Sequence, residues 1–496
     1  TLRGECRRRR CIEARSGRFV PGYGPEDGLG FDTRLRRYSP RGRVDSRRYS
    51  PRGRAGSTDP QHHGRPGGAA YPALVSSPTP RQRARLRTRA AITAGRAASA
   101  LSRAAGRGEG MVIGGQVILR LAPDAIVELA GGRVAALVSA TNGKTSTTRL
   151  LATAMEQAGP VVFQPTGANM STGIVMTLSD TDPGDTVVLE VDEAYLPRTM
   201  DQTHPKVLLL GNLSRDQLDR MNEVAMTARS WRTMLERHPD VTVVANADDP
   251  MIEFAAGQAP NVVWVAAGQQ WTSDSSVCAS CGALLSRGDG TWSCPGCGRH
   301  RPEPDWVLVD GVATGPDGTD YDLSGLRLPG RFNQANATLV LAAVASLGLD
   351  PRQGLARMET VDSVSGRYGT FRVGDLRIRL FLAKNPAGWA ELLDVMPPPP
   401  TPVIITINSD FADGRDPSWL WDVPFEKLRG RTVVATGFRR RDLAVRLKQA
   451  GVDHVVIEDP YSADARLPVG MRDLDAVHVC ATYTAFHQLR TTGVPA

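Results

Sequence analysis

An α/β fold is predicted, in which a central parallel sheet carries helices on both faces, holds a small metal-binding insertion, and is followed by a second α/β unit. Three observations predict it. Short Val- and Leu-rich runs alternate with helical stretches from about residue 110, the pattern of strands hidden on both faces by crossover helices. A second series of such runs follows the Pro397–Pro400 tract. Between the two series stand two C-x-x-C pairs, Cys278/Cys281 and Cys294/Cys297, a spacing that favours metal chelation in a reducing compartment.

The 496 residues allow two to four domains, and an apolar content of 41% fills ordinary cores. The net charge of +8 conceals a division: residues 1–110 hold 25 Arg against 8 acidic residues, an excess of +17, which leaves −9 on the rest. The basic balance therefore does not argue for a nucleic-acid binder. No apolar run reaches the roughly 18–20 residues needed to cross a bilayer, and no signal-peptide-like stretch opens the chain, so a cytoplasmic location is expected.

Residues 1–85 are rich in Arg, Gly, Pro and Ser, and RRYSPRGR occurs twice, from Arg36 and from Arg47. Such a segment buries too little apolar area to offset its ordering entropy, so disorder is expected. A polyanion-binding tail, or upstream sequence that is not native, are the other readings. Cys6 and Cys11 in this arm need no role. From about Arg87 an Ala-rich stretch predicts a helix. VAALVSA (134–140), TVVLEVD (186–192), KVLLLGNL (206–213) and VTVVANAD (241–248) then predict buried strands of a central domain over 86–369. PVIITIN, RTVVATG, HVVIED and AVHVCAT predict those of a C-terminal domain over 370–496.

The first strand leads into a phosphate-loop candidate. Gly143-Lys144-Thr145 falls between a strand and a helix, where backbone N–H groups and a helix N-terminus hold phosphate. Lys144 is suited to the β- and γ-phosphates and Thr145 to magnesium. The full G-x-x-x-x-G-K-[ST] pattern is not met, because Val138 stands five positions before Gly143, so a plain Asn142-Gly143 turn is the alternative. About 45 residues on, Glu190 sits near the end of an apolar strand, where a carboxylate completes a magnesium shell, with Asp192 and Glu193 close by.

Twelve residues separate Cys281 from Cys294, and Gly282 and Gly298 follow the pairs. This predicts a zinc ribbon inserted over 271–302, whose four thiolates close the shell and make the metal structural. The intervening ALLSRGDGTWS is too weakly basic for strong phosphate contact. Cys480 reads as a buried strand residue.

With ATNGKTS, LEVDEA, GNLSRDQLDR, NADDP and GRFNQANATLVLAA in this order, the chain resembles the Mur ligase family over residues 111 to about 485. LAKNPAGW (382–389), INSDFADGRDPSWLWD (407–422) and the four-Cys insertion are similar to its MurT-type members. The resemblance implies a Mur-ligase-like central domain with a zinc-ribbon insertion and a C-terminal Rossmann-like α/β domain. It implies ATP-dependent amidation, through an acyl phosphate, of the α-carboxylate of D-glutamate in the lipid II stem peptide, giving D-isoglutamine. ATP, Mg2+ and Zn2+ are the implied cofactors. Ammonia would come from a GatD-type glutaminase subunit, since the chain shows no Cys/His glutaminase unit of its own, and lipid II would be met at the inner face of the cell membrane. No nucleic-acid partner is expected.

Residue by residue, the resemblance puts Asn142, Gly143, Lys144, Thr145 and Ser146 on the nucleotide's phosphates, and Thr145 and Glu190 on magnesium. It puts Asn246, Asp249, Asn333 and Asn336 on the nucleotide side of the pocket, and Arg367 of SGRYG on ATP phosphates. Lys144 and Glu190 are the expected catalytic groups. Asp416, with Asp422 next, is expected to face the glutaminase and orient its catalytic His, from a turn-like stretch that also holds Asp413 and Arg415. Lys384 and Asn385 either line the acceptor side or form a surface loop ended by Pro386. The chain departs from the family at Ala140, usually Gly; at Gln217, a metal-binding His in peptide-adding members; and at Phe332, in place of a His. The rival readings are an amino-acid-adding Mur or folylpolyglutamate-type ligase and, from another class, a zinc-ribbon nucleic-acid-binding protein.

Overall fold

A computed structural model describes residues 80–495 apart from 106–109, 165–166, 183, 216–223, 365–366 and 411–412. The Arg-rich arm up to residue 79, with Cys6 and Cys11, and Gln217 lie outside the described residues. The chain opens with three helices, α1 (Pro80–Ala104), α2 (Met111–Leu121) and α3 (Ala125–Ala130). There follow β1 (Val134–Ser139), α4 (Lys144–Met155), β2 (Val161–Val162), α5 (Ser171–Ser179), β3 (Thr186–Glu190), α6 (Leu196–Thr203) and β4 (Val207–Leu210). Next come α7 (Val224–Glu236), β5 (Thr242–Asn246), α8 (Pro250–Ala256), β6 (Val262–Ala266) and a small hairpin of β7 (Ser286–Gly288) and β8 (Thr291–Ser293). The first half closes with β9 (Trp306–Val309), β10 (Val312–Thr314), β11 (Asp320–Asp322), α9 (Arg331–Ser346) and α10 (Pro351–Met358).

Nine of these strands form one sheet in the order β11-β10-β9-β6-β5-β4-β1-β3-β2. Its pairs are parallel from β2 to β9, and only β9-β10-β11 runs as an antiparallel meander. Alternate residues of a strand point to opposite faces, and here both faces are covered. Leu137, Leu189 and Leu208 pack with Ile118, Ile174 and Trp231 on one side. Ala136, Val138, Val188 and Leu209 pack with Leu150, Val340 and Leu341 on the other. Double burial is why these strands read as unbroken apolar runs. β2 is two residues long, β9 and β11 carry exposed residues and β10 is half-buried at both ends, so none of them stands out as a buried run. At β1 the strand order reverses, with β4 on one side and β3 on the other, and such a switch point opens a ligand crevice beyond the strand's carboxyl end.

The second half holds β12 (Tyr368–Val373), β13 (Leu376–Leu382), α11 (Pro386–Asp394), β14 (Val403–Thr406), β15 (Thr432–Thr436), α12 (Arg440–Gln449), β16 (Asp453–Val456), β17 (Val477–Ala481), α13 (Tyr483–Thr492) and β18 (Val494–Pro495). They form a seven-stranded sheet, β16-β15-β14-β17-β13-β12-β18, parallel from β16 to β13. The hairpin β12–β13 alternates buried apolar with exposed Arg residues, so it shows as a half-covered strand pair and not as a buried run. Trp389, Phe425 and Leu443 fill one face and Phe486, Ile404 and Val479 the other. No helix among the described residues is long and apolar enough to cross a membrane.

Close helix packing fixes α2 against α5. A Cβ added at Gly115 would lie 2.3 Å from the backbone oxygen of Thr172, and backbone cannot swing aside as a side chain can. Gly115→Ala is expected to cost about 1–3 kcal/mol, read as a lower urea midpoint with an unchanged slope.

Candidate active site

Beyond β1 the chain turns through Ala140–Gly143 into α4, and the turn is held by the loop that follows β4. Asn212 bonds both ways with the Asn142 backbone, accepting from its N–H at 2.9 Å and donating to its carbonyl at 2.9 Å. Ser214 N–H donates to Thr141 Oγ1 at 3.0 Å, and Asn142 Nδ2 to Ser214 Oγ at 3.2 Å. Gly143 has φ +85°, a left-handed conformation that favours glycine, and a Cβ there would lie 3.0 Å from Asn336 Oδ1. The turn thus sets the N-terminus of α4 at the pocket, the end of a helix that suits an anion. Lys144 is buried, donating to the Ala140 carbonyl and forming a 2.8 Å ion pair with Glu193. Glu193, a magnesium candidate by its place in the sequence, is here the counter-ion of the loop lysine.

Glu190, at the end of β3, is fully buried. Gln164 grips its backbone with two 2.7 Å bonds, and Asn169 Nδ2 donates to its Oε1 at 3.0 Å. Its Oε2 is buried and has no hydrogen-bond partner among the described residues. A Cβ on Gly167 would come 3.2 Å from Thr145 Oγ1 and 3.6 Å from Glu190 Oε2, so hydroxyl and carboxylate border one cradle that only glycine leaves open. An acceptor without a donor in so dry a place is costly. A hard divalent cation with oxygen ligands satisfies it, and the donor set fits magnesium. Arg367 Nε donates to Thr145 Oγ1 at 3.3 Å, which places a guanidinium beside the same cradle.

A pocket opens from the loop between the two sheets. Asn142, Gly143, Lys144, Ser146, Asn246, Asn333, Asn336 and Arg367 all line it. Trp271 and Phe332 add aromatic wall, and Lys384, Gly388 and Glu391 come from the second sheet's side. The start of α11 reaches the phosphate loop, since a Cβ at Gly388 would lie 3.3 Å from Asn142 Oδ1. Asn385, of the pair with Lys384, is fully buried and caps α11 by accepting from Gly388 N–H at 2.8 Å, so this stretch is no exposed surface loop. Asp249 does not line the pocket. It is fully buried, accepting from Leu213 N–H at 2.8 Å and Met251 N–H at 2.9 Å, and burial pushes its carboxyl up to about 6. Its task in the structure is to cap α8 and anchor the loop that carries Asn212.

Two family matches cover these parts: residues 138–279 match the Mur ligase middle domain, and residues 382–486 the MurT ligase C-terminal domain. The chain is 30% identical over 438 residues to the lipid II isoglutaminyl synthase (glutamine-hydrolyzing) subunit MurT of Streptococcus pneumoniae, covering 82% of this chain and 96% of that one. The chain belongs to the MurT family. The Staphylococcus aureus MurT is 28% identical, with 76% of this chain and 91% of that protein covered. Among solved structures, MurF from Acinetobacter baumannii shares the fold at 15% identity, with a TM-score of 0.54 over 75% of this chain and 79% of that one. A pseudomurein peptide ligase type C from Methanothermus fervidus does so at 18% identity, with a TM-score of 0.51 over 70% and 75%.

A cysteine cluster interrupts the first half of this chain. The four sulfurs of Cys278, Cys281, Cys294 and Cys297 lie within 4.8 Å of one another. Two pairs stand at 3.4 and 3.6 Å, near the ~3.8 Å edge that four Zn–S bonds of about 2.3 Å generate and far from the ~2.05 Å of a disulfide. Gly282 (φ +77°) and Gly298 (φ +75°) turn the two knuckles, each donating its N–H to the first cysteine carbonyl of its pair. The ribbon is tied to the pocket wall: Trp292 Nε1 bonds the Ala247 carbonyl at 3.1 Å, Arg299 pairs with Glu253 at 2.7 Å, and Arg301 with Asp248 at 2.6 Å. Asp248 N–H in turn donates to Asn246 Oδ1 at 3.0 Å.

The acidic candidates of the second half separate. Asp416 is exposed, lies outside the pocket lining, and accepts from Ser418 N–H and Oγ at 2.9 Å. Asp413 is buried and clasps Thr484 at the start of α13, accepting from its N–H at 2.8 Å and from its hydroxyl. Asp422 reaches back to Arg215 at 3.3 Å, and Arg215 also pairs with Asp274 at 2.5 Å, a bridge between the two halves. Cys480 is buried in β17.

Gly167, Gln164, Asn169 and Glu391 are pocket or cradle residues that the motifs do not mark, and Asn212 has no assigned role within GNLSRDQLDR. GNL beside a buried strand was the only signal for Asn212, and the others reach the site by folding alone. Burial, then the charge of Asp394, pushes the Glu391 carboxyl up to about 7, against the pull of Arg331 and Lys427. The folded protein therefore keeps a proton that the unfolded chain sheds, and stability present at low pH is lost as pH rises through about 7. Glu391→Gln removes this dependence, so its melting temperature is expected to gain on the parent's between about pH 5 and about pH 8.

Proposed function

We propose that the chain is the ATP-using synthetase subunit of a lipid II isoglutaminyl synthase, amidating the α-carboxylate of the stem peptide's D-glutamate. One observation carries the reading: Oε2 of buried Glu190, without a hydrogen-bond partner among the described residues, faces Thr145 across Gly167, beside the phosphate-loop candidate of a MurT-family chain. Bound MgATP supplies a γ-phosphoryl group to a carboxylate oxygen, breaking the β,γ-anhydride, and ammonia then displaces phosphate to leave the amide.

The chain's own residues do the rest. Thr145 and Glu190 hold the cation. Lys144, once drawn from Glu193 to the phosphates, and Arg367 offset charge gathering on the transferred group. Asn246, Asn333 and Asn336 shape the nucleotide side, with Asp249 supporting them from behind. Lys384, at the foot of the second sheet, lines the acceptor side, and the close seating of α11 on the phosphate loop excludes water that would hydrolyse the acyl phosphate. Zinc on the four thiolates stiffens the wall that carries Asn246. A GatD-type glutaminase delivers ammonia, and Asp416, exposed on the second half, remains the proposed contact to its catalytic His. Lipid II is met at the inner membrane face.

Lys144→Ala is expected to lower glutamine- and ATP-dependent amidation of lipid II by at least about 10²-fold under conditions where circular dichroism shows the variant folded, assayed by mass spectrometry with the glutaminase present; full activity would refute the phosphate-loop assignment. For the ribbon, one zinc per chain is expected by elemental analysis. Cys281→Ser should lower the melting temperature and raise KM for ATP more than it lowers kcat, because the ribbon braces Asn246 through Asp248.

A further inference from the structure

The layer formed by α1 and α2 takes no part in the chemistry above. Neither helix contains Asp or Glu, whereas α1 carries seven Arg and α2 adds Arg120. One side of α1 is sealed, with Thr88, Ala91, Gly95, Ser99 and Ser102 buried at helical spacing. The opposite side presents Leu86 at 56% and Leu101 at 72% exposure, with exposed Ala90 and Ala97 between them. On a helix, residues at such intervals share one face, and Arg85, Arg89 and Arg103 run along its margin. α2 adds exposed Val112 and Ile113. A single exposed leucine needs no explanation. An outward apolar stripe rimmed by arginines, on two helices without a carboxylate, is the pattern that lies in a headgroup layer.

The layer is also close to the chemistry. α2 seats on α5, where a Cβ at Gly115 would strike Thr172 and one at Gly114 would lie 3.1 Å from Met176 Sδ. The loop leading into α5 carries Asn169 onto Glu190. No helix among the described residues is long and apolar enough to cross a membrane.

We propose that the outer face of α1 and α2 rests on an anionic phospholipid surface, from which the site receives its substrate; the inference takes its purpose, though not its test, from the lipid-linked substrate proposed above. The full chain is sedimented with vesicles of phosphatidylglycerol and phosphatidylcholine, or of phosphatidylcholine alone. Salt of about 0.5 M, with a Debye length of about 4 Å, suppresses purely ionic binding by the Arg-rich first residues. The parent chain is expected to stay on the anionic vesicles, and Leu86→Glu/Leu101→Glu, altered only at exposed positions, to lose about tenfold in retention while keeping its melting temperature. In Leu101→Trp, acyl-chain-brominated lipid is expected to quench the added emission.

Equal retention of the double variant, or no quenching, overturns the proposal. Unchanged vesicle binding with loss of the glutaminase complex, or of self-association, gives the face to a protein and overturns it too. Vesicle binding needs neither ATP nor glutamine. A chain that binds vesicles but does not amidate lipid II therefore sinks the proposed function alone, and one that amidates a water-soluble stem peptide yet ignores vesicles sinks this inference alone.

Discussion

A buried carboxylate oxygen with no donor among the described residues costs free energy, and Glu190 Oε2 is in that state. Gln164 fixes its backbone from one side, Asn169 occupies its other oxygen, and Gly167 keeps the remaining space open toward Thr145. The parallel register of β3 beside β1, pairing Glu190 with Val138, sets the carboxylate next to the phosphate turn. A shift of one residue in that register would turn Glu190 to the opposite face, and the cation cradle would vanish.

The phosphate turn depends on its neighbours in the same way. Its sequence lacks the first glycine of the standard loop, and the loop after β4 compensates: Asn212 satisfies the Asn142 backbone in both directions and Ser214 bonds Thr141. Lys144 meanwhile has Glu193 as a counter-ion, which keeps a buried ammonium paired. In the proposed function, phosphate would exchange one anionic partner of Lys144 for another, with no charge stranded.

The two halves and the ribbon are joined by polar contacts that converge on the pocket. Arg215 links Asp274 with Asp422, Arg301 links the ribbon to Asp248, and Gly388 brings α11 against Asn142. Surface ion pairs contribute little stability singly, yet these sit where relative placement of pocket walls matters, and half-buried Arg301 and buried Asp248 share a network with Asn246. The cysteine knuckles thus bear on a pocket wall that their own spacing says nothing about.

By itself the sequence determined what local chemistry and periodicity can determine. Doubly buried strands announced themselves as Val/Leu runs, because both faces need apolar residues. Gly143 before Lys144 and Thr145 marked a strand-to-helix turn, and the C-x-x-C pairs with their trailing glycines marked a four-thiol cluster, since these are contacts between near neighbours. Tertiary structure alone decided which distant groups share the site. Nothing near Glu391, Gln164 or Asn169 in the chain says that they face a pocket or a carboxylate, and Asp249, inside a motif, turns out to serve its own helix and a backbone N–H. Glu193 becomes the partner of Lys144, 49 positions away, only because β1 and β3 lie side by side. Such pairings depend on register and on the docking of whole elements, which hydrophobic burial sets across the full chain and no local segment encodes.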